Sequence, residues 1–300
     1  MVDLFFLKTF LSIAESGSFR SAAQKNNISQ PAVSQQMRIL ERKFNTVLFE
    51  RSAKKVLLTP GGQILLRYAQ QMLQLYKNAE AEIQHMNTHW IGLIKIASIY
   101  SMGLYQLKPL IQQFMKKYPG INIHLEYHQH DIIYEMVRNG TIDFGLVAFP
   151  KQAQGIRINI YDEDELVLVQ SMKRPLIKAK KIGLQDLNGV NFIALDRKTP
   201  TGAQIFTSFQ AAGAQPTIVE EYDNIETIKN TIELGRGCAV LPKRTISQEL
   251  KTKMFKVVPL KDFNLKRPLA ILTSKTKVFT KSTQAFYDLI NKKIASGDNL

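Results

Sequence analysis

The chain has 300 residues, with 40 Lys+Arg against 25 Asp+Glu, a formal net charge of +15 and a single cysteine. That length suits about two domains, a hydrophobic content of 45% excludes a wholly disordered chain, and one cysteine excludes an internal disulfide framework. No apolar run approaches the ~20 residues of a membrane span, and Asp3 and Lys8 spoil the N-terminus as a signal peptide, so a cytoplasmic protein is expected. Residues 1–90 carry 11 cations and 6 acids, and residues 91–300 carry 29 and 19. The excess is spread evenly, so any nucleic-acid assignment must rest on a motif rather than on the sum.

In chain order, Leu4, Leu7, Phe10, Leu11 and Ala14 share one face of a helix over 2–16 that Gly17 stops. Ser18 caps a short second helix to about Lys25, with small Ala22 and Ala23 in its middle. Ser29 caps a third helix to about Phe44, with Pro31 in its first turn, where a missing N–H costs nothing. Its apolar face is Val33, Met37, Leu40 and Phe44. A hairpin pattern follows, VLFERSAKKVLLT, with Arg51, Lys54 and Lys55 at the turn. Thr59-Pro60 then opens an unbroken helix to about Met86, roughly 40 Å long. Its stripe of Leu65, Met72, Ala79 and Met86, with Tyr68, Leu75 and Ile83 between, reads as an oligomer seam, with packing against its own domain as the alternative. From Trp90 the pattern alternates strands with helices, as an α/β domain with a mainly parallel sheet requires.

Three short helices and a basic hairpin describe a winged helix-turn-helix. Gln30, Ser34 and Gln35 are side chains that reach base edges in a major groove, and Arg38 and Arg42 suit phosphate or guanine. Arg51, Lys54 and Lys55 suit backbone or minor-groove contact.

The stretches LKTFLSIAESGSFRSAAQ, SQPAVSQQMRILE and LFERSAKKVLLTPGG resemble the DNA-binding end of LysR-type transcriptional regulators. The resemblance extends over the long helix and, through VRNGTIDFGLV and IELGRGCAVLP, over the remainder. Asn26 and Asn45 depart from the family's usual Leu and Gly. The resemblance implies DNA contacts from Arg20, Gln30, Pro31, Ser34, Gln35, Arg38 and Arg51. It also implies a two-lobed, periplasmic-binding-protein-like effector domain and tetramers built from dimers. The expected division is a head at 1–59, a linker helix at 60–88 and an effector domain at 89–300. Its first lobe is expected at about 89–162 and 267–300, and its second at about 163–266.

In a two-lobed α/β domain a ligand sits at the carboxyl ends of the strands. Ser98, Tyr100 and Ser101 after the first strand, and Arg197, Lys198, Thr199 and Thr201 after NFIAL, are the expected effector contacts. Hydroxyls beside helix N-termini suit a small organic anion. Thr199 and Thr201 are equally readable as helix caps. Lobe crossovers are expected near Asp162–Glu165 and Lys266–Pro268, with the acidic DEDE run as a solvated hinge. His124, Glu126, His128 and His130 alternate onto one strand face, where a transition metal or a plain polar surface are both readable; no metal and no cofactor is assigned. Cys238 reads as a small buried residue.

No GxSxG, P-loop, HExxH, CxxC or GxGxxG motif occurs, so the chain is not read as an enzyme. The expectation is a DNA-binding regulator, a homo-oligomer without membrane attachment, controlled by a small-molecule effector. The alternatives are a two-lobed solute-binding protein or enzyme with an accessory helical domain, and an architectural DNA protein.

Overall fold

The computed structural model describes residues 3–51, 56–84 and 92–296. Its N-terminal head begins with α1 (Leu4–Ser16), α2 (Phe19–Lys25) and α3 (Gln30–Phe44), whose starts are capped by the side chains of Asp3, Ser18 and Ser29. Leu7, Phe10 and Ile13 of α1 pack against Ala22 and Ala23 of α2 and against Val33, Met37 and Leu40 of α3. The two alanines let the helices approach closely. Asn26 is buried, yet its amide donates to Ser12 Oγ and to the Ala22 carbonyl, both at 2.9 Å. That polar pair replaces the apolar contact that a leucine would make there. Asn45 ends α3 in the left-handed region at φ 46°.

The hairpin is present, with β1 (Phe49–Arg51) antiparallel to β2 (Val56–Leu58). The linker helix α4 (Pro60–Gln84) starts where Thr59 Oγ1 accepts from the Gly62 N–H at 3.0 Å. A Cβ on Gly62 would lie 2.2 Å from the Leu48 carbonyl oxygen, so only glycine lets the linker enter this tightly. Leu65 and Ala69 are buried in the head's core. Leu65 therefore joins the linker to the head and is not part of a free seam. Tyr68, Met72, Leu75, Ala79 and Ile83 are exposed, as a seam requires, and Met86 lies outside the described residues.

The remainder contains β3 (Gly92–Ser98), α5 (Tyr100–Met102), a π-helical turn at Gly103–Leu107, α6 (Lys108–Lys117), β4 (Ile121–Tyr127), α7 (His130–Asn139) and β5 (Phe144–Ala148). It continues with β6 (Ile156–Ser171), β7 (Asn191–Leu195), α8 (Pro200–Ala211), β8 (Thr217–Tyr222), α9 (Ile225–Glu233), β9 (Ala239–Pro242), α10 (Ser247–Lys251), β10 (Phe255–Val258), β11 (Lys266–Ser274) and α11 (Lys281–Ser296).

Two lobes share one long strand. The first half of β6 pairs antiparallel with β11, which pairs antiparallel with β5, and β3 lies between β5 and β4, parallel to both. The second half of β6 pairs antiparallel with β9 and β10, while β7 and β8 are parallel. The sheets are thus mixed rather than mainly parallel. The βα units supply the parallel pairs, and the strands that cross between lobes supply the antiparallel ones. Phe114, Phe144 and Phe286 centre the core of the first lobe, and Phe192 and Phe209, with fully buried Cys238, lie in that of the second.

The DEDE run lies inside β6 where its partner changes from β11 to β9, so the expected crossover is present, and Glu163 and Glu165 are exposed while Asp164 is buried. Each acid has a cation within 4 Å. Asp162 pairs with Arg244, Glu163 with Lys266, Asp164 with Arg267 and Glu165 with Lys243. The linker also touches the first lobe, where Gln71 Oε1 accepts from Thr276 Oγ1 at 3.3 Å and its side chain packs over Gly140 at the end of α7.

Candidate nucleic-acid interface and effector cleft

The first turn of α3 and the body of α2 form one open surface. A shallow concavity there is lined by Arg20, Gln24, Asn27, Ser29 and Gln30. Arg20, Gln30, Pro31, Gln35 and Arg38 are exposed and Ser34 is half-buried. Neither arginine is spent on an ion pair among the described residues. By contrast Ala22, Ala23 and Val33 face the core, which fixes the azimuth of α3 and leaves its polar face outward. Arg51 closes β1 opposite Val56, while Lys54 and Lys55 of the wing tip lie outside the described residues.

Between the lobes lies a cleft of about 640 Å³. Tyr100 and Ser101 line it from the first lobe, and Lys198, Thr199 and Thr201 from the second. Two expected contacts are elsewhere. Ser98 is wholly buried and its hydroxyl donates to the Ile99 carbonyl at 2.9 Å, because the last strand residue alternates inward. Arg197 stacks its guanidinium 3.8 Å from the Phe206 ring centroid and does not line the cleft. Thr199 is indeed the cap of α8, accepting from the Gly202 N–H at 3.1 Å, although it also forms part of the wall. A Cβ on Gly202 would sit 2.2 Å from the Asp196 carbonyl oxygen, so glycine lets α8 start directly against the end of β7.

The residue at the floor of the cleft is Arg267, which the sequence marks only as part of a crossover. Its side chain is 2% exposed. Nη2 donates to Ser101 Oγ at 2.6 Å and Nε to Thr201 Oγ1 at 3.2 Å, so one guanidinium ties the first loop of each lobe to the crossing strand. Its remaining amine, Nη1, is 3.9 Å from Asp164 Oδ2, beyond hydrogen-bond range, and neither atom has a partner. Burial pulls the Arg267 guanidinium down to about 10, against the opposing pull of Asp164. It stays charged at neutral pH. Burial likewise pushes the Asp164 carboxyl above the ordinary aspartate range, with the Arg267 and Arg244 charges opposing. A lone arginine inside a long strand carries no sequence signal. Its significance comes from the register Arg267↔Asp164.

His128, His130 and Lys151 also line the cleft. His130 opens α7 instead of continuing the strand face, and its ring stacks on Tyr134 at 4.8 Å. Its Nε2 is buried without a partner, and desolvation holds the imidazole below its usual pKa despite Asp131. His124 and His128 each bond one oxygen of Glu126, at 2.8 and 2.9 Å. His124, Glu126 and His128 therefore share one face and His130 leaves it, and among the described residues no cluster of His, Cys, Asp and Glu has the arrangement of a metal site.

Residues 4–63 match the family described as bacterial regulatory helix-turn-helix protein, lysR family, and residues 87–295 match the LysR substrate binding domain. The chain belongs to the LysR family. It is 34% identical to the "Probable RuBisCO transcriptional regulator" of Emiliania huxleyi, over 93% of this chain and 91% of that protein. It is 30% identical to the HTH-type transcriptional regulator CysL of Bacillus subtilis, over 97% of each. Among solved structures it resembles a full-length OxyR variant of Pseudomonas aeruginosa with TM-score 0.74 and 22% identity, covering 99% of this chain and 95% of that one. It also resembles a Synechocystis CcmR regulatory domain in complex with 2-PG, with TM-score 0.62 and 23% identity over 68% of this chain and 98% of that one. This LysR-family chain is accordingly a DNA-binding transcriptional regulator with an effector domain. Among the described residues no helix is long and apolar enough to cross a membrane.

Proposed function

We propose that this regulator responds to a small organic anion that enters the cleft and takes the free Nη1 of Arg267. The observation that carries this reading is a buried guanidinium in the wall of a ligand-sized cleft between two lobes, with its Nη1 lacking a hydrogen-bond partner. Ser101 and Thr201 pre-orient it, and a carboxylate or phosphate oxygen satisfies it with a charge-assisted bond. Tyr100, Lys198 and Lys151 complete the rim. The CcmR neighbour with its 2-PG ligand supports a small-molecule role for this domain type. A two-lobed enzyme is disfavoured because the named relatives are regulators.

Occupancy reaches the DNA-binding half through α7. Its N-terminal residues His130 and Asp131 line the cleft, and its C-terminal end meets Gln71 of the linker about 15 Å away. A ligand that binds closed lobes more tightly than open ones shifts this contact. Arg20, Gln30, Pro31, Ser34, Gln35, Arg38 and Arg51 then dock on duplex DNA, Gln30 and Gln35 at base edges and the arginines on phosphates or guanine. The exposed stripe from Tyr68 to Ile83 pairs two copies in a cytoplasmic homodimer that can assemble further.

The test is calorimetric titration of the full chain with a panel of small carboxylates and phosphate esters. One class should bind, and Ser101→Ala should weaken it. No binding across the panel, or unchanged binding in Ser101→Ala, would overturn the reading.

A further inference from the structure

The positive charge of the second lobe is not spread over its surface. Residues 173–181 and 251–261 hold eight lysines and Arg174 with no acid among them, whereas the rest of 163–266 holds seven cations and twelve acids. These two segments lie side by side. The Met172 N–H donates to the Met254 carbonyl at 2.9 Å, Phe255 pairs with Ser171, and Ile182 bridges to Leu260 with the Lys261 N–H returning to the Ile182 carbonyl at 2.8 Å. The side chain of wholly buried Gln170 clamps the first of these segments through Leu176 and Ile177. The lysines are thus fixed along one edge of the lobe beside β10.

All eight are exposed, and none makes an ion pair among the described residues. Elsewhere in the lobe Lys229, Arg236, Lys243, Arg244 and Lys266 are each paired. The neighbouring acids Asp262 and Asp186 accept from the Leu184 and Gly183 N–H groups, at 2.9 and 2.8 Å, and flank one end of the band, so nine cations stand against two carboxylates. Nine like charges held together repel one another, and an external polyanion relieves that.

We propose that this lysine edge is a second DNA-contacting surface, one that takes phosphates without reading sequence. The three strand steps of β10, from Phe255 to Val258, span roughly 10 Å, which matches about 6 duplex phosphates at one charge per ~1.7 Å, and the flanking lysines lengthen the edge. Lysine is the point-charge donor suited to phosphates, and it is depleted at protein–protein interfaces, where Tyr and Trp are enriched. The band's one aromatic residue, Phe255, is buried. The DNA-binding head lies on the same chain, so a bound duplex is present at high effective concentration and even weak contacts engage it. DNA that leaves the head and bends back along the lobe gains affinity, and lobe movement then alters its path.

The test compares the full chain with a variant carrying Lys178→Gln, Lys180→Gln, Lys181→Gln, Lys253→Gln and Lys256→Gln, and with the matching five-arginine variant. Binding to a 60-base-pair mixed-sequence duplex is followed by anisotropy across a salt series. Each phosphate no longer neutralised removes about 0.9 from the slope of log K against log salt, so the glutamine variant should lose about four and the arginine variant none. Arg38→Gln, measured in parallel, reports the head separately. Should the five-fold variant misfold, Lys180→Gln with Lys181→Gln should still lower the slope by about two. A wild-type slope in the glutamine variant overturns the proposal. So does a variant that keeps the slope but loses transcription activation, because the edge would then face an acidic protein.

Discussion

Lys229 on α9 donates to the Tyr105 hydroxyl on the π-helical turn at 2.9 Å, so an ammonium that is 8% exposed bridges the two lobes behind the effector cleft. The same ammonium lies 2.5 Å from Glu249 and 3.3 Å from Glu226. The lobes are therefore held by a charged group that is itself anchored on one side only. Tyr105→Phe removes the bridge and leaves the anchor intact. We expect little change in thermal midpoint but faster amide exchange in residues 100–107, measured by hydrogen exchange.

Removing the ammonium is a different matter, because Glu249 keeps one oxygen buried and unpartnered even in the native arrangement. Lys229→Met should cost about 3 kcal/mol in urea unfolding, the usual penalty for stranding a buried charge. Adding Glu249→Gln should recover part of it. A double-variant loss equal to the sum of the Lys229→Met and Glu249→Gln losses would show that the pair is not coupled.

Arg267 lets structural and ligand roles be separated. Arg267→Met leaves buried Asp164 with only Arg244 to oppose its burial, so stability should fall by about 3 kcal/mol and anion binding should disappear. Arg267→Met with Asp164→Leu should restore much of the stability without restoring binding, as read by urea unfolding and calorimetry. Restored binding in the double variant would place the anion elsewhere.

His130 gives the pH dependence a sign. Desolvation holds its folded-state pKa below the unfolded value, the larger effect, while Asp131 partly opposes it and Lys151 reinforces it. The unfolded chain then binds more protons between the two values, and stability falls as pH drops below about 6.5. Thermal midpoints between pH 7.5 and 5.5 should fall less steeply in His130→Gln than in the wild type. Parallel profiles would assign the acid sensitivity to other groups.

Gly62→Ala tests the entry of the linker. The added methyl meets the Leu48 carbonyl at 2.2 Å, and backbone at that distance has to move. We expect the head to lose at least about 2 kcal/mol and DNA binding with it. Ala substitutions at exposed Gln30 and Gln35 should instead leave the melting curve intact and weaken specific DNA binding by about 1–3 kcal/mol for each base edge no longer read. Anisotropy against a selected duplex, with a mixed-sequence competitor, distinguishes the two behaviours.

The head and the rod are legible in the primary structure, because their signals are local. Capping residues and helical periodicity act over a few positions, so Ser18, Ser29, Pro31 and Thr59 mark boundaries that the structure keeps within a residue or two. The same local logic picks out Tyr100, Ser101, Thr199 and Thr201, which follow strand ends at helix starts and line the cleft. It misplaces Ser98, whose orientation depends on strand alternation into the core, and Arg197, which stacks on Phe206 instead. It finds the crossover at DEDE but reads all four acids as solvated, because their four cations lie 78 or more residues away along the chain. Leu65 looks like seam until the head closes over it. Arg267 acquires its role from the fold alone, since its environment is assembled from Ser101, Asp164 and Thr201. These belong to three separate segments brought together by sheet register, and burial of a charge is a property of that assembly and of no single stretch of chain.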